Sequence, residues 1–313
     1  MKPWTLGVTG VIVEDTIHTA DGGTTRDLGG IQYALATLSA LLPMTASIQP
    51  ILAVGQDAFR PVRRALEALP SIAVDGLVNS AAVNNKVSLQ YAADGSREET
   101  LTGGVAPLPW ETLEPWIERL DAWLWNFISG METTQETFAR LKGAFGGPVY
   151  MDLHNLCLEH IQGRPRRRRP PPRWESWVEG VTWLQLNAEE AGLLGRGRTA
   201  PLPADQEAAL AARIHGLGPR GVLVTRGPGG ATWYGPGGKT AVEPAVHAGR
   251  AVDPTGCGDV FGAAWVALHL GRGLPAEEAL AGAAAAAGVA ATLRGTRDLR
   301  GALAMVEAGG HGG

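Results

Sequence analysis

Asp253-Pro254-Thr255-Gly256-Cys257-Gly258-Asp259-Val260-Phe261 is the stretch from which fold and chemistry can both be read. Gly256 and Gly258 carry no Cβ, so other atoms can come close to their backbone N–H groups. Gly262-Ala263-Ala264-Trp265-Val266-Ala267-Leu268 follows without a breaker and reads as a helix. A glycine-rich turn feeding a helix N-terminus is an anion site. Its free N–H groups point outward, and the helix dipole favours negative charge. The Asp259 carboxylate in that first turn is out of place in a pure anion binder. It fits a site where the anion forms during a reaction and Asp259 takes the proton from an attacking hydroxyl. That combination points to phosphoryl transfer to an alcohol, in which positioning and charge stabilisation dominate.

The chain before this turn alternates strands and helices. Trp4 to Thr9, Ile48 to Val54, Leu124 to Ile128, Val149 to Leu153, Thr182 to Leu186 and Val222 to Thr225 read as strands. Helices fall at Phe59 to Leu69, Thr133 to Ala144, Glu189 to Leu194 and Asp205 to His215. After the turn, the Ala-rich segment from Ala276 to Leu293 reads as a tightly packed helix. This rhythm implies an α/β fold with a parallel sheet and helices on both faces. Two segments break it. Val11 to Asp27, with a turn at Gly22-Gly23, and Asn84 to Thr102, with a turn at Asp94-Gly95, have the alternation of half-exposed hairpins. They suggest a small lid over the carboxyl ends of the strands. Gly29-Gly30 is expected to open a helix through Tyr33, Leu35, Leu38 and Leu41, ended by Pro43.

The Asp253–Asp259 stretch resembles the D-T-x-G-A-G-D signature of the ribokinase-like (PfkB) family of sugar and nucleoside kinases. Asp253, Thr255, Gly256, Gly258 and Asp259 carry the likeness, and Pro254 and Cys257 differ from the signature. The resemblance implies one ribokinase-like domain over residues 1–313: a doubly wound, mostly parallel sheet with a β lid, ribbons 11–27 and 84–102, that closes over the sugar and often helps form a homodimer. It implies Asp259 as the base. The backbone of Gly256, Cys257 and Gly258 would stabilise charge on the phosphoryl group, where the cysteine side chain has no part. Asp15 would hold substrate hydroxyls, and a carboxylate accepting two of them suits a polyol. Gly29-Gly30 would lie against the substrate. Four residues after the second glycine, ribokinases proper place a sugar-binding asparagine. This chain has Ala34, with Gln32 and Tyr33 as substitutes, which argues against assuming ribose.

On the donor side, Asn187-Ala188-Glu189-Glu190 resembles the family's N-x-x-E, implying that Asn187 and Glu190 organise Mg²⁺ through water. The same residues read equally well as a helix N-cap with first-turn acids. Thr225-Arg226-Gly227-Pro228-Gly229-Gly230 is similar to the family's nucleotide loop, so Thr225, Gly227, Gly230 and Thr255 would contact ATP. By the same resemblance, adenine would lie between the loop after Gly227 and the region of the Ala-rich segment Ala276 to Leu293, closed by Arg294-Gly295-Thr296. Asp253 and Thr255 would help hold a monovalent cation such as K⁺. Gly238-Lys239-Thr240 invites a P-loop reading, but Trp233 stands where that motif needs its first glycine. Asp152-Leu153-His154-Asn155 ends a strand and could face the cleft, with His154 as an alternative base.

Composition narrows the classes. The 313 residues carry a net charge of −4, which gives no case for nucleic-acid binding. Cys157 and Cys257 have no CxxC spacing, so neither a disulfide framework nor a zinc site is indicated. Met1-Lys2-Pro3-Trp4 lacks an apolar leader and no apolar run reaches spanning length, so a cytoplasmic protein free of membrane is expected. Arg164 to Arg173 reads as an exposed, extended loop, since repelling charges and prolines oppose a helix. The tail from Gly309 to Gly313 is expected to fray. Beyond a sugar kinase, the sequence leaves open a nucleoside kinase and a non-catalytic sugar-binding relative.

Overall fold

The structure is a computed structural model that describes residues 4–92 and 97–310. The first half of the chain comprises β1 (Thr5–Thr9), β2 (Ile12–His18), β3 (Thr24–Gly30), α1 (Gln32–Leu41), β4 (Ser47–Pro50), β5 (Leu52–Gly55) and α2 (Phe59–Glu67). There follow β6 (Leu77–Ser80), β7 (Lys86–Tyr91), β8 (Arg97–Thr102), α3 (Trp110–Leu113), β9 (Ala122–Asn126), α4 (Gln135–Ala144) and β10 (Val149–Asp152). The second half runs through α5 (Trp174–Val178), β11 (Trp183–Asn187), α6 (Ala188–Arg196), α7 (Ala204–His215), β12 (Gly221–Thr225), β13 (Ala231–Tyr234) and β14 (Thr240–Glu243). It ends with α8 (Cys257–Val266), α9 (Ala276–Ala290) and α10 (Leu299–Gly310).

The main sheet has eight strands in the order β14-β13-β12-β11-β10-β9-β1-β4. From β12 to β4 every pairing is parallel. Strand β1 lies between β4 and β9, so chain direction across the sheet reverses there. A crevice at the carboxyl ends of such strands is where open α/β sheets bind ligands. Ala122-Trp123-Leu124-Trp125-Asn126 is buried at every position, as a strand covered on both faces must be. One face packs Leu6, Leu35, Phe261 and Trp265 beneath α1, α8, α9 and α10. The other packs Trp123, Trp125, Phe138 and Leu210 beneath α4 and α7. Truncating a ring such as Trp125 to alanine would cost about 3–5 kcal/mol.

The two ribbons form a separate four-stranded sheet, β3-β2-β7-β8, in which two antiparallel hairpins are joined by a parallel β2–β7 pairing. This is the expected lid. The turn expected at Asp94-Gly95 lies outside the described residues, as do Met1-Lys2-Pro3 and the last three residues of the tail.

Several expectations need correction. Ile48 to Val54 is two strands: β4 belongs to the main sheet, and β5 pairs with β6 in a two-stranded sheet. Pro50 lacks an N–H and restricts the residue before it, so the chain turns away there. Gly29-Gly30 ends β3, paired with Val13 and Ile12, and the helix starts two residues later at Gln32. The antiparallel hairpin β13–β14 at the sheet edge was not anticipated; Gly238-Lys239 lies in its turn, far in role from a phosphate loop. Gly309 and Gly310 continue α10.

The arginine-rich segment is extended, as expected, but not simply exposed. Gly163 N–H donates to Leu101 O at 3.0 Å and Arg166 N–H to Glu99 O at 2.9 Å, so the segment lies along the outer edge of β8. Only 1% of the Arg166 side chain is accessible. An edge strand's open N–H and C=O groups take up a passing extended chain readily.

Candidate active site

A cavity of about 470 Å³ runs between the lid, the carboxyl ends of the main sheet and α9. Its centre is the turn that opens α8. Gly256 is the N-cap residue with φ 78°, in the left-handed region. A Cβ there would lie 2.4 Å from Cδ1 of Tyr33, so conformation and space both demand glycine. At Gly258 a Cβ would meet only Gln185 Nε2, at an ordinary 3.9 Å. The protein's own packing does not require glycine at that position; its bare backbone is open toward the cavity.

Asp259 sits in the first turn of α8, 8% exposed. Asn126 Nδ2, at the carboxyl end of β9, donates to Asp259 Oδ1 at 2.5 Å. Burial pushes the carboxyl up to about 7, against the opposing pull of the Asn126 bond. His154 Nε2 stands 3.9 Å from the same oxygen. The alternative base is therefore a neighbour of the expected one.

Beneath the turn is a buried polar network that the sequence reading missed. Tyr150 Oη donates to Gln185 Oε1 at 2.6 Å, and Gln185 Nε2 donates to Asp152 Oδ2 at 2.9 Å and Gly258 O at 3.0 Å. Burial, then the nearby Glu190 and Asp259, hold the Asp152 carboxyl well above its usual range. Asn126, Asp152 and Gln185 are polar residues in otherwise apolar buried strands. That anomaly was visible in Trp123-Leu124-Trp125-Asn126 and Trp183-Leu184-Gln185-Leu186.

Asn187 and Glu190 form a complete capping box at the start of α6. Glu190 N–H donates to Asn187 Oδ1 at 2.9 Å, and Asn187 N–H donates back to Glu190 Oε2 at 2.9 Å. Both residues also line the cavity, so the capping and site readings hold together. Burial raises Glu190 to about 7. Asp152, Glu190 and Asp259 thus crowd the middle of a cavity whose lining, among the described residues, contains no lysine or arginine. Like charges so placed suit a cation. Among the described residues no group of three His, Cys, Asp or Glu is close enough to hold a metal directly. Carboxylates and an amide oxygen are hard oxygen donors of the kind Mg²⁺ uses together with its waters.

At the lid end, Asp15, Gly30 and Tyr33 line the cavity, together with Val13, Val87, Leu89, Glu99, Ile128 and Asn155. Gly29 faces Asp15: a Cβ on it would fall 1.7 Å from Asp15 Oδ2. Gln32 is not among the lining residues, and its Oε1 is buried without a hydrogen-bond partner. Ala34 is 1% exposed and packs in the core. Burial, then the Asp15, Asp253 and Asp259 charges, raise the Tyr33 phenol, which stays protonated as a donor.

At the other end, Thr225, Gly227, Pro228 and Gly230 line the cavity with Ala284, Ala287 and Gly288 of α9 and Ala291 just after it. Glu207 anchors this loop from α7. It forms a close ion pair with Arg226 Nη2 and accepts from Tyr234 Oη at 2.7 Å, while Arg226 Nη1 donates to Thr232 Oγ1 at 2.9 Å. Arg294-Gly295-Thr296 is not in the lining; a Cβ on Gly295 would meet Asp27 of the lid at 2.3 Å. Thr255 lines the cavity and its Oγ1 is buried without a hydrogen-bond partner. Asp253 lies outside the lining and accepts from Thr255 N–H at 2.9 Å.

Lid, sheet order and glycine turn together define a ribokinase-like α/β fold. Residues 165–300 match the model of the pfkB family carbohydrate kinase. Among solved structures, ribokinase from Thermotoga maritima is similar with a TM-score of 0.76 at 18% identity, over 97% of this chain and 99% of that one. Ribokinase of Arabidopsis thaliana, complexed with ribose and ATP, is similar with a TM-score of 0.72 at 20% identity, over 97% and 99% of the two chains. The nucleoside kinase of Burkholderia thailandensis, in complex with inosine, has a TM-score of 0.72 at 18% identity, over 97% of each chain. No curated protein matches the sequence. No helix among the described residues is long and apolar enough to cross a membrane.

Proposed function

We propose that this protein transfers a phosphoryl group from ATP to a hydroxyl of a sugar or nucleoside. The observation that carries the reading is Asp259: a buried carboxylate beside the open backbone of Gly258, at a helix N-terminus, in a cavity with a polar acceptor end and a small-residue donor end. With its pKa raised to about 7, Asp259 is a better proton acceptor than an ordinary carboxylate, yet still ionised in part at neutral pH.

The acceptor hydroxyl would lie between Asp15 and Asp259, with Gly30 allowing close approach. Asp259 takes its proton as the oxygen attacks. The first-turn N–H groups of α8 face the phosphoryl group and stabilise the charge that spreads over its oxygens. The space between the loop at 227–230 and the small residues of α9 would take adenine. Asn187 and Glu190, through water, would hold Mg²⁺, which when bound neutralises phosphate charge. The turn from Asp253 to Thr255 is the place for a monovalent cation, and the unpartnered Thr255 hydroxyl is consistent with one.

The test is ADP release from Mg·ATP across a panel of sugars and nucleosides. Turnover on at least one acceptor is expected. Sugar binding without any turnover would favour the non-catalytic reading.

A further inference from the structure

The arginine-rich segment delivers one side chain into the protein. Arg166 Nη1 donates to Glu99 Oε1 at 2.9 Å, and its Nη2 donates to Ser129 O at 2.6 Å. Glu99 lies on β8 of the lid and lines the cavity; Ser129 follows β9 of the main sheet. Arg166 therefore ties the lid to the sheet across the acceptor end. Next in the wall comes the pair His154-Asn155. Asn155 Nδ2 donates to Ile128 O at 2.6 Å and reaches Glu99 Oε1 at 3.5 Å, while His154 faces Asp259. Glu99 thus stands at one end of a short polar edge whose other end is the base.

The rest of that wall is apolar: Val13, Val87, Leu89 and Ile128. Asp15, Glu99 and Asp259 are carboxylates that, when ionised, only accept hydrogen bonds. A phosphate or carboxylate placed here would meet these acceptors and, among the described residues, no lysine or arginine in the lining, since Arg166 is spent on Glu99 and Ser129. Arg26 and Lys86 line a second depression that shares Asp15, and Lys86 is 3.3 Å from Glu14.

We propose that Glu99, held in place by Arg166, reads the far end of the acceptor, and that the site selects an uncharged acceptor. Such a molecule offers hydroxyl or amino hydrogens to Glu99 and an apolar face to the lid valines and Leu89. A nucleoside or a deoxy sugar has this chemistry; a sugar phosphate or a sugar acid does not. The proposal rests on the reading of this cavity as the acceptor site.

Calorimetry on the whole protein tests it without requiring turnover. The probes are adenosine, inosine and ribose against adenosine monophosphate, ribose 5-phosphate and gluconate, with ADP as the control ligand. At least tenfold tighter binding of the best neutral compound over its anionic counterpart is expected. Glu99→Gln keeps the shape and removes the charge. It should weaken that neutral compound about tenfold, in the range for a hydrogen bond to a charged group, and change ADP affinity less than twofold. Arg166→Met should act in the same direction and non-additively with Glu99→Gln, because both remove one coupled pair. If Arg166→Met does not fold, the glutamate variant decides alone. Equal or tighter binding of the anionic probes, or unchanged neutral binding in Glu99→Gln, overturns the proposal. ADP release is scored separately. Glu99-dependent binding of neutral compounds without any ADP release would support this proposal and defeat phosphoryl transfer. Turnover of a sugar phosphate would do the reverse.

Discussion

The two ends of the cavity are built in opposite ways. The end proposed for the donor and the proposed base come from runs of a few residues: 187–190, 225–230 and 253–259, each a strand end or a turn entering a helix. The acceptor end is gathered from β2, β7, β8, the segments after β9 and β10, and a loop that crosses the lid edge. Backbone chemistry in a turn is local, because a left-handed glycine and a helix terminus are specified within one or two turns of chain. Side-chain chemistry in a pocket is not. A chain can therefore keep one reaction while its acceptor wall is rewritten.

The largest expected effect breaks the local end. Asp259→Asn should lower kcat by about 10²–10⁴ while ATP affinity, read by calorimetry, stays within twofold. Turnover close to the parent's would remove Asp259 from the role of base. In the parent, kcat/KM should fall as pH drops below about 7, because the protonated carboxyl cannot accept the hydroxyl proton. The stability sign is the opposite. The folded pKa lies above the unfolded value of 3.8, so the folded state binds the extra proton between these values and loses stability as pH rises toward 7. The asparagine variant has no such loss. Its Tm should exceed the parent's at pH 8, on the order of 5 °C, and match it near pH 3.

A pair of glycine variants sharpens the contrast within the turn. Gly256→Ala meets both the left-handed backbone and the Tyr33 ring, and should cost roughly 1–3 kcal/mol of stability by denaturant titration. Gly258→Ala meets nothing closer than 3.9 Å, so it should fold with the parent's Tm and lose kcat instead. Equal stability of the two variants would contradict the reading of Gly256.

Smaller effects separate donor from acceptor. Glu207→Gln weakens the anchor of the loop at 226–230 and should raise the KM for ATP about five- to tenfold, with the acceptor KM unchanged. A rise in both would mean that the loop and lid are coupled. Least of all should change in Arg168→Ala. Its partner Glu189 is 3.2 Å away, but the two side chains are 33% and 50% exposed. Stability should stay within about 0.5 kcal/mol of the parent. Two residues apart in one arginine run, Arg166 is buried on Glu99 and Ser129 while Arg168 stays a third exposed beside Glu189, and burial decides how much each charge matters.

Much of the fold was legible because its signals are periodic or local. The alternation of strands with helices, the half-exposed ribbons at 11–27 and 84–102, and Asp259 in a glycine turn needed no partner to be recognised. Glu99 could not be read so. Glu98-Glu99 sits in a polar ribbon, where either residue could be solvated, and only the strand register turns Glu99 inward. Ala34 marked a departure from ribokinases; it is buried in α1, and of the two substitutes named for it Tyr33 lines the cavity and Gln32 does not.

By itself, the sequence determined the sheet-and-lid architecture and the glycine turn at 253–259 that opens a helix on a carboxylate, because period, glycine conformation and helix termini act over a few residues. Only the tertiary structure decided that Asn126 bonds the Asp259 carboxylate, that Arg166 leaves solvent to clamp Glu99, and that no lysine or arginine among the described residues lines the cavity. Those facts depend on residues 67 or 133 positions apart meeting in a low-dielectric space, where pairing and burial outweigh intrinsic charge.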